Sequence, residues 1–157
     1  MDTTTQWNDC IRLTRDYLKK MEYQQIHITN LRETMAELEK KMGSAKIASY
    51  DSIPGGSSEL NSVEAGAEEA MRYRKLKEEV EAMERHQAKV KRCIEQLPLD
   101  EKLAVEMFYF YRRSYDDMVS SLHLSYSTCR RRVRAGTYKI AYMMFGEKAE
   151  KKVLFLS

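Results

Sequence analysis

Breakers are scarce in this chain: 2 prolines and 6 glycines serve 157 residues. That scarcity excludes the turn-rich sandwiches and barrels, whose strands need punctuation every few residues, and favours long helices. Cysteine is sparse as well. Cys10, Cys93 and Cys129 stand far apart with no C-x-x-C, which excludes a disulfide or zinc framework and fits a reducing cytosol. Four phenylalanines against ten methionines suggest adaptable helix seams more than a rigid aromatic core. No apolar run approaches the roughly 18 residues that a membrane span needs. The opening MDTTTQWNDC has no basic stretch followed by an apolar one, so no secretory signal and no membrane association are expected.

Catalytic chemistry is missing in the same way. His27, His86 and His123 are isolated from one another and from any cysteine pair, so no metal set is expected. Gly55-Gly56 lacks the Lys-Ser/Thr of a phosphate loop, and no G-x-S-x-G occurs. Asp116-Asp117 is better explained as a helix N-terminus than as an acid/base pair. The expectation is a protein with no catalytic residues, no cofactor and no small-molecule substrate, hence not an enzyme.

Charge is plentiful at 32% of residues, yet the net is only +3. It is unevenly placed. The first 96 residues hold 16 Lys/Arg and 17 Asp/Glu, whereas Arg112 to Lys139 holds seven basic residues against two acidic. A basic patch on a nearly neutral chain points to a phosphate-bearing partner at one end.

Helical periodicity organises the chain into an all-α architecture: two long coiled-coil-type helices, then a C-terminal helix-turn-helix domain. Residues 1–42 read as the first helix, with Trp7, Ile11, Leu18, Met21, Ile28, Leu31, Met35, Leu38 and Met42 on a narrow stripe that Thr14 and Gln25 complete. The step of three from Ile28 to Leu31 breaks its heptad. Residues 43–58, with Gly43 as a C-cap and Pro54-Gly55-Gly56, read as a linker, in which Tyr50 and Ile53 could dock on a helix. Residues 59–96 form the second helix; Leu76, Val80, Met83, Gln87, Val90, Ile94 and Leu97 repeat as alternating steps of four and three. The seams could close as an antiparallel hairpin or pair two copies of the chain. Residues 97–146 read as the helix-turn-helix domain and residues 147–157 as a tail.

Within that domain Pro98 opens a third helix, Asp100 to Tyr111, with Leu103, Met107, Phe110 and Tyr111 on its inner side. Ser114-x-x-Asp117 is a capping box, His123-Leu124 a turn, and Ser125 the cap of the next helix. There Cys129, Val133, Gly136 and Ile140 share an inward stripe, and Tyr126, Ser127, Arg130, Arg131 and Arg134 face out. Such a helix suits a major groove. Tyr126, Ser127, Arg130 and Arg131 are expected to read base edges; Ser114, Arg132 and Arg134 are expected to meet phosphates.

Leu97-Pro98, SYDDMVSSLHLS and STCRRRVRA resemble region 4 of the sigma-70 family, with Cys129 where that family has valine or isoleucine and Gly136 off its usual pattern. No sigma region 2 precedes them. Together with the PGG segment of the linker, the chain is similar to the ArpU/RinA-type regulators of phage late genes. That resemblance implies a transcription regulator, an activator of phage or prophage late genes, working in the cytoplasm of the bacterial host and associated with its nucleoid. It implies double-stranded promoter DNA and host RNA polymerase as partners; a homodimer would read two half-sites. Two other readings stand beside it: a packaging protein of the small-terminase kind, and a sigma-like protein that grips polymerase without reading DNA.

Overall fold

Long runs without proline and with apolar residues at three- and four-residue steps can bury one stripe only by pairing with another helix. The structure, a computed structural model, describes the backbone of residues 3–51 and 58–149. It is all-helical there: α1 (Thr3–Asp51), α2 (Ser58–Glu95), α3 (Leu99–Val105) continued by a π-helical turn (Glu106–Phe110), α4 (Tyr115–Leu122), α5 (Tyr126–Phe145), and a 3₁₀ turn (Gly146–Ala149). Two compact units result, one of Met1–Glu22 with His86–Ser157, the other of Tyr23–Arg85.

In the unit Tyr23–Arg85 the two long helices pair within the chain. Ile28, Leu38 and Val80 are buried between them. Across the seam Arg32 pairs with Glu84, the Tyr73 hydroxyl donates to Glu39, and His27 Nε2 lies 3.7 Å from Glu79 Oε1. These exposed pairs contribute little each; the apolar stripe carries the pairing.

The stripe on α1 departs from its expected register. Gln25 is exposed and Gln24 is half-buried. The irregular step therefore falls from Met21 to Gln24, immediately after the step from Leu18 to Met21, and not from Ile28 to Leu31. Two successive steps of three overwind a seam locally, and this one coincides with the division at Tyr23. Thr14 is buried as expected, its hydroxyl donating to the Cys10 carbonyl at 2.8 Å, and so is Gln87. Gly43 does not end the helix, which runs on to Asp51. A lone glycine costs a helix about 1 kcal/mol relative to alanine, and the next residues include the good helix formers Ala45, Lys46 and Ala48. The side chains of Trp7, Tyr50 and Ile53, the Pro54-Gly55-Gly56 break and tail residues 150–157 lie outside the described residues.

The other unit is larger than the 97–146 domain expected from sequence. Its core joins Leu18 and Met21 of α1 and Val90, Cys93, Ile94 and Leu97 of the α2 end to Ala104, Val105, Tyr109, Met118, Cys129, Val133 and Ile140. A second cluster sets Ile11 against Tyr138, Ala141 and Ala149. The start of α1 is thus part of the helix-turn-helix unit, and the Arg112 guanidinium donates to Glu22 at 3.0 Å. All three cysteine thiols are buried.

Met107 and Phe110 pack against this core as expected, but the rest of the expected inner side of the third helix does not. Leu103 and Tyr111 are exposed, while Ala104, Val105 and Tyr109 are buried. Two causes combine. Small residues on α3 let α5 approach at Gly136, where an added Cβ would lie 2.5 Å from Val105 Cγ2. The π turn then inserts an extra residue, with the Tyr111 N–H bonded to the Glu106 carbonyl five residues back at 3.0 Å. That brings Tyr109 inward, its hydroxyl 3.1 Å from Thr137 Oγ1. Thr137 spends its own proton on the Val133 carbonyl at 2.7 Å, so Tyr109 is the donor. Arg112 ends the segment in the left-handed region at φ 50°.

Candidate nucleic-acid interface

Local chemistry fixes the helix-turn-helix. Ser114 Oγ accepts from the Asp117 N–H at 3.1 Å, and the Asp117 carboxylate accepts from the Ser114 N–H at 3.1 Å, a complete capping box. Met118 is buried beneath α4. His123 makes the turn in the left-handed region at φ 54°, and Ser125 caps α5 by accepting from the Thr128 N–H at 3.2 Å. Cys129, Val133, Gly136 and Ile140 are buried along one side of α5. With that side anchored, the opposite one must face outward.

Tyr126, Ser127, Arg130, Arg131 and Arg134 are exposed, and with Tyr138 they line one shallow groove of about 350 Å³. Neither Arg130 nor Arg131 has a carboxylate within ion-pair distance among the described residues. Arg134 donates to the Tyr138 hydroxyl at 3.1 Å, and its guanidinium carbon sits 5.9 Å from that ring's centre. The bond to the tyrosine oxygen pushes the Arg134 pKa up.

Two expected phosphate contacts have partners within the chain. Arg132 is turned off this face; its Nε lies 3.4 Å from Asp100 Oδ2 and its side chain is only 28% exposed. At Ser114 the backbone N–H is already taken by Asp117, and Asp116 adds a second negative charge in the same turn. Asp117 is held below the usual carboxylate range by its hydrogen bonds with Ser114, first through the side chain and then through the backbone, helped by the Arg113 charge. A phosphate at that helix start would face two carboxylates. Lys139, counted in the basic patch, is engaged with Glu101 at 2.8 Å.

Sequence reading missed Arg15 and Lys19. Both are exposed on α1 and line a cleft with Tyr115, Tyr126, Arg130 and Arg134. The signal was present as an i, i+4 cation pair beside a seam whose partner the sequence does not name. Burial pushes the Tyr115 and Tyr109 hydroxyls up from the ordinary tyrosine value, so both are neutral donors at physiological pH.

Among the described residues no group of three or more His, Cys, Asp or Glu could hold a metal ion, and no helix is long and apolar enough to cross a membrane. No curated protein and no solved structure matches the chain. One family model does, over residues 87–140, and its start at Gln87 agrees with the structural unit that resumes at His86 more closely than with the Leu97 boundary read from sequence. The α2 end, α3, α4 and most of α5 therefore form a helix-turn-helix domain similar to Sigma-70, region 4.

Proposed function

We propose that this protein is a sequence-specific regulator of transcription that places the first turns of α5 in the major groove of double-stranded promoter DNA. One observation carries the reading: Tyr126, Ser127, Arg130 and Arg131 share an exposed face, and neither arginine is ion-paired among the described residues. Arginine gives bidentate contacts to guanine, and the hydroxyls serve bases or phosphates. Arg134, further along the same face, meets a phosphate. Arg132 and Ser114, engaged with Asp100 and Asp117, leave the DNA contact set.

The finer role rests on the resemblance to ArpU/RinA-type proteins: activation of phage late genes at promoters, through host RNA polymerase. Leu99 and Leu103, exposed one turn apart on α3, support a protein contact of the kind polymerase would supply. Footprinting on the source genome tests it. Protection upstream of a late operon is expected. Protection inside a packaging gene would favour a small-terminase role, and capture of polymerase without any protection would favour a sigma-like protein that does not read DNA.

A further inference from the structure

Two pairs of cations face one cleft from different helices. Arg15 and Lys19 stand four residues apart on α1, Arg130 and Arg134 four apart on α5, and all four line a cavity of about 630 Å³. Residues at i and i+4 lie on one face of a helix, about 6 Å apart along its axis. The α1 carboxylates nearby are occupied elsewhere: Asp9 pairs with Arg12 at 3.0 Å, and Glu22 accepts from Arg112. Asp16, three residues before Lys19, makes no ion pair with it and does not line the cleft. Four like charges are thus gathered with no ion pair to any described residue. The wall between them is aromatic. Phe108 and Tyr115 stack at 4.9 Å between ring centres with planes 18° apart, and Tyr115 meets Tyr126 edge-on at 5.3 Å. An apolar wall behind cations focuses their field into the cleft.

We infer that this cleft grips the sugar-phosphate backbone of the bound duplex, so that Arg15 and Lys19 of α1 are DNA-binding residues and the start of α1 is part of the interface. The inference rests on the DNA-reading role of α5. The cleft is continuous with that face: it shares Tyr126, Arg130 and Arg134 with the groove on the exposed side of α5. A duplex whose major groove holds that face has a phosphate strand at its edge, and the cleft lies there. Point charges on α1, away from the first turn of α5, position the duplex without reading it.

The test uses the full chain and a labelled duplex carrying the footprinted site, with a scrambled duplex beside it, in anisotropy titrations over a range of salt. The double variant Arg15→Ala/Lys19→Ala is expected to weaken binding to both duplexes by a similar factor, about tenfold. It should lower the slope of log affinity against log salt by roughly 2, the loss of two phosphate contacts. The ratio between the duplexes should hold. Arg15→Lys/Lys19→Arg should restore the slope, and Lys20→Ala, exposed on another side of α1, should leave it unchanged. Unaltered helicity by circular dichroism excludes unfolding as the cause. If the double variant binds both duplexes as wild type does while Arg130→Ala is impaired, the inference fails and the α5 reading stands. Loss confined to the footprinted duplex would also overturn it, because backbone contacts carry no sequence preference. If wild type binds neither duplex at low salt, both fall together.

Discussion

Arg132 and Arg134 differ by two positions and by everything that surrounds them. Arg132 meets Asp100 and is largely covered; Arg134 faces out, propped by Tyr138. Arg132→Ala is therefore expected to leave DNA affinity and its salt slope unchanged and to cost folding stability about 1 kcal/mol or less, as a half-exposed ion pair does, measured by urea denaturation. Arg134→Ala is expected to weaken binding to all duplexes alike and lower the salt slope by about 1. The arginine run alone could not separate these roles, because Asp100 lies 32 residues from Arg132 and its proximity is a fact of packing. Asp117 has its folded pKa depressed by the capping box. The cap's contribution is therefore fully present above the unfolded value near ~4 and is lost as pH falls through the folded value. Thermal melts between about pH 5 and 3 should decline more steeply for wild type than for Asp117→Asn; parallel declines would contradict the cap's role.

Elements whose cues are local were legible in the sequence. The Ser114–Asp117 box, the turn at His123, the Ser125 cap and the inward stripe of Cys129, Val133, Gly136 and Ile140 each depend on residues within a turn or two. The inner face of α3 and its π turn was legible only in part: Met107 and Phe110 pack against the core as expected, whereas Leu103 and Tyr111 do not. Leu103 is more apolar than Ala104, but the close crossing with α5 selects the smaller side chain, and the π turn rotates the residues beyond it to a new face. That crossing makes a prediction. Gly136→Ala gains about 1 kcal/mol of helix propensity but drives a methyl against Val105, an overpacking that costs about 1–3 kcal/mol. The expected outcome is a net loss, recovered when Val105→Ala is added, read from chemical denaturation of the single and double variants. A stabilised single variant would show that α3 and α5 do not approach so closely.

The whole molecule depends on contacts between distant parts of the chain, where periodicity is silent. A heptad stripe declares that a helix pairs, not with what. The structure pairs α1 with α2 in the unit Tyr23–Arg85 and gives Leu18 and Met21 of α1 to the helix-turn-helix unit. With the seams of the described residues met within one chain, a homodimer needs a surface besides them. Sedimentation over a range of concentrations, with and without the footprinted duplex, is expected to find two copies of the 18.5 kDa chain on one duplex, with half-sites a helical turn or a multiple of it apart. A single copy on the fully protected site would contradict the dimer and leave the reading helix in place. The central claim is that α5 reads sequence through Arg130 and Arg131, and its most direct measurement is the ratio of affinities for the footprinted and scrambled duplexes at one fixed salt concentration. Wild type is expected to prefer its site by a factor on the order of 10³ or more, and Arg130→Ala and Arg131→Ala are each expected to lose about 1–3 kcal/mol of that preference. A ratio that both substitutions leave untouched would contradict it.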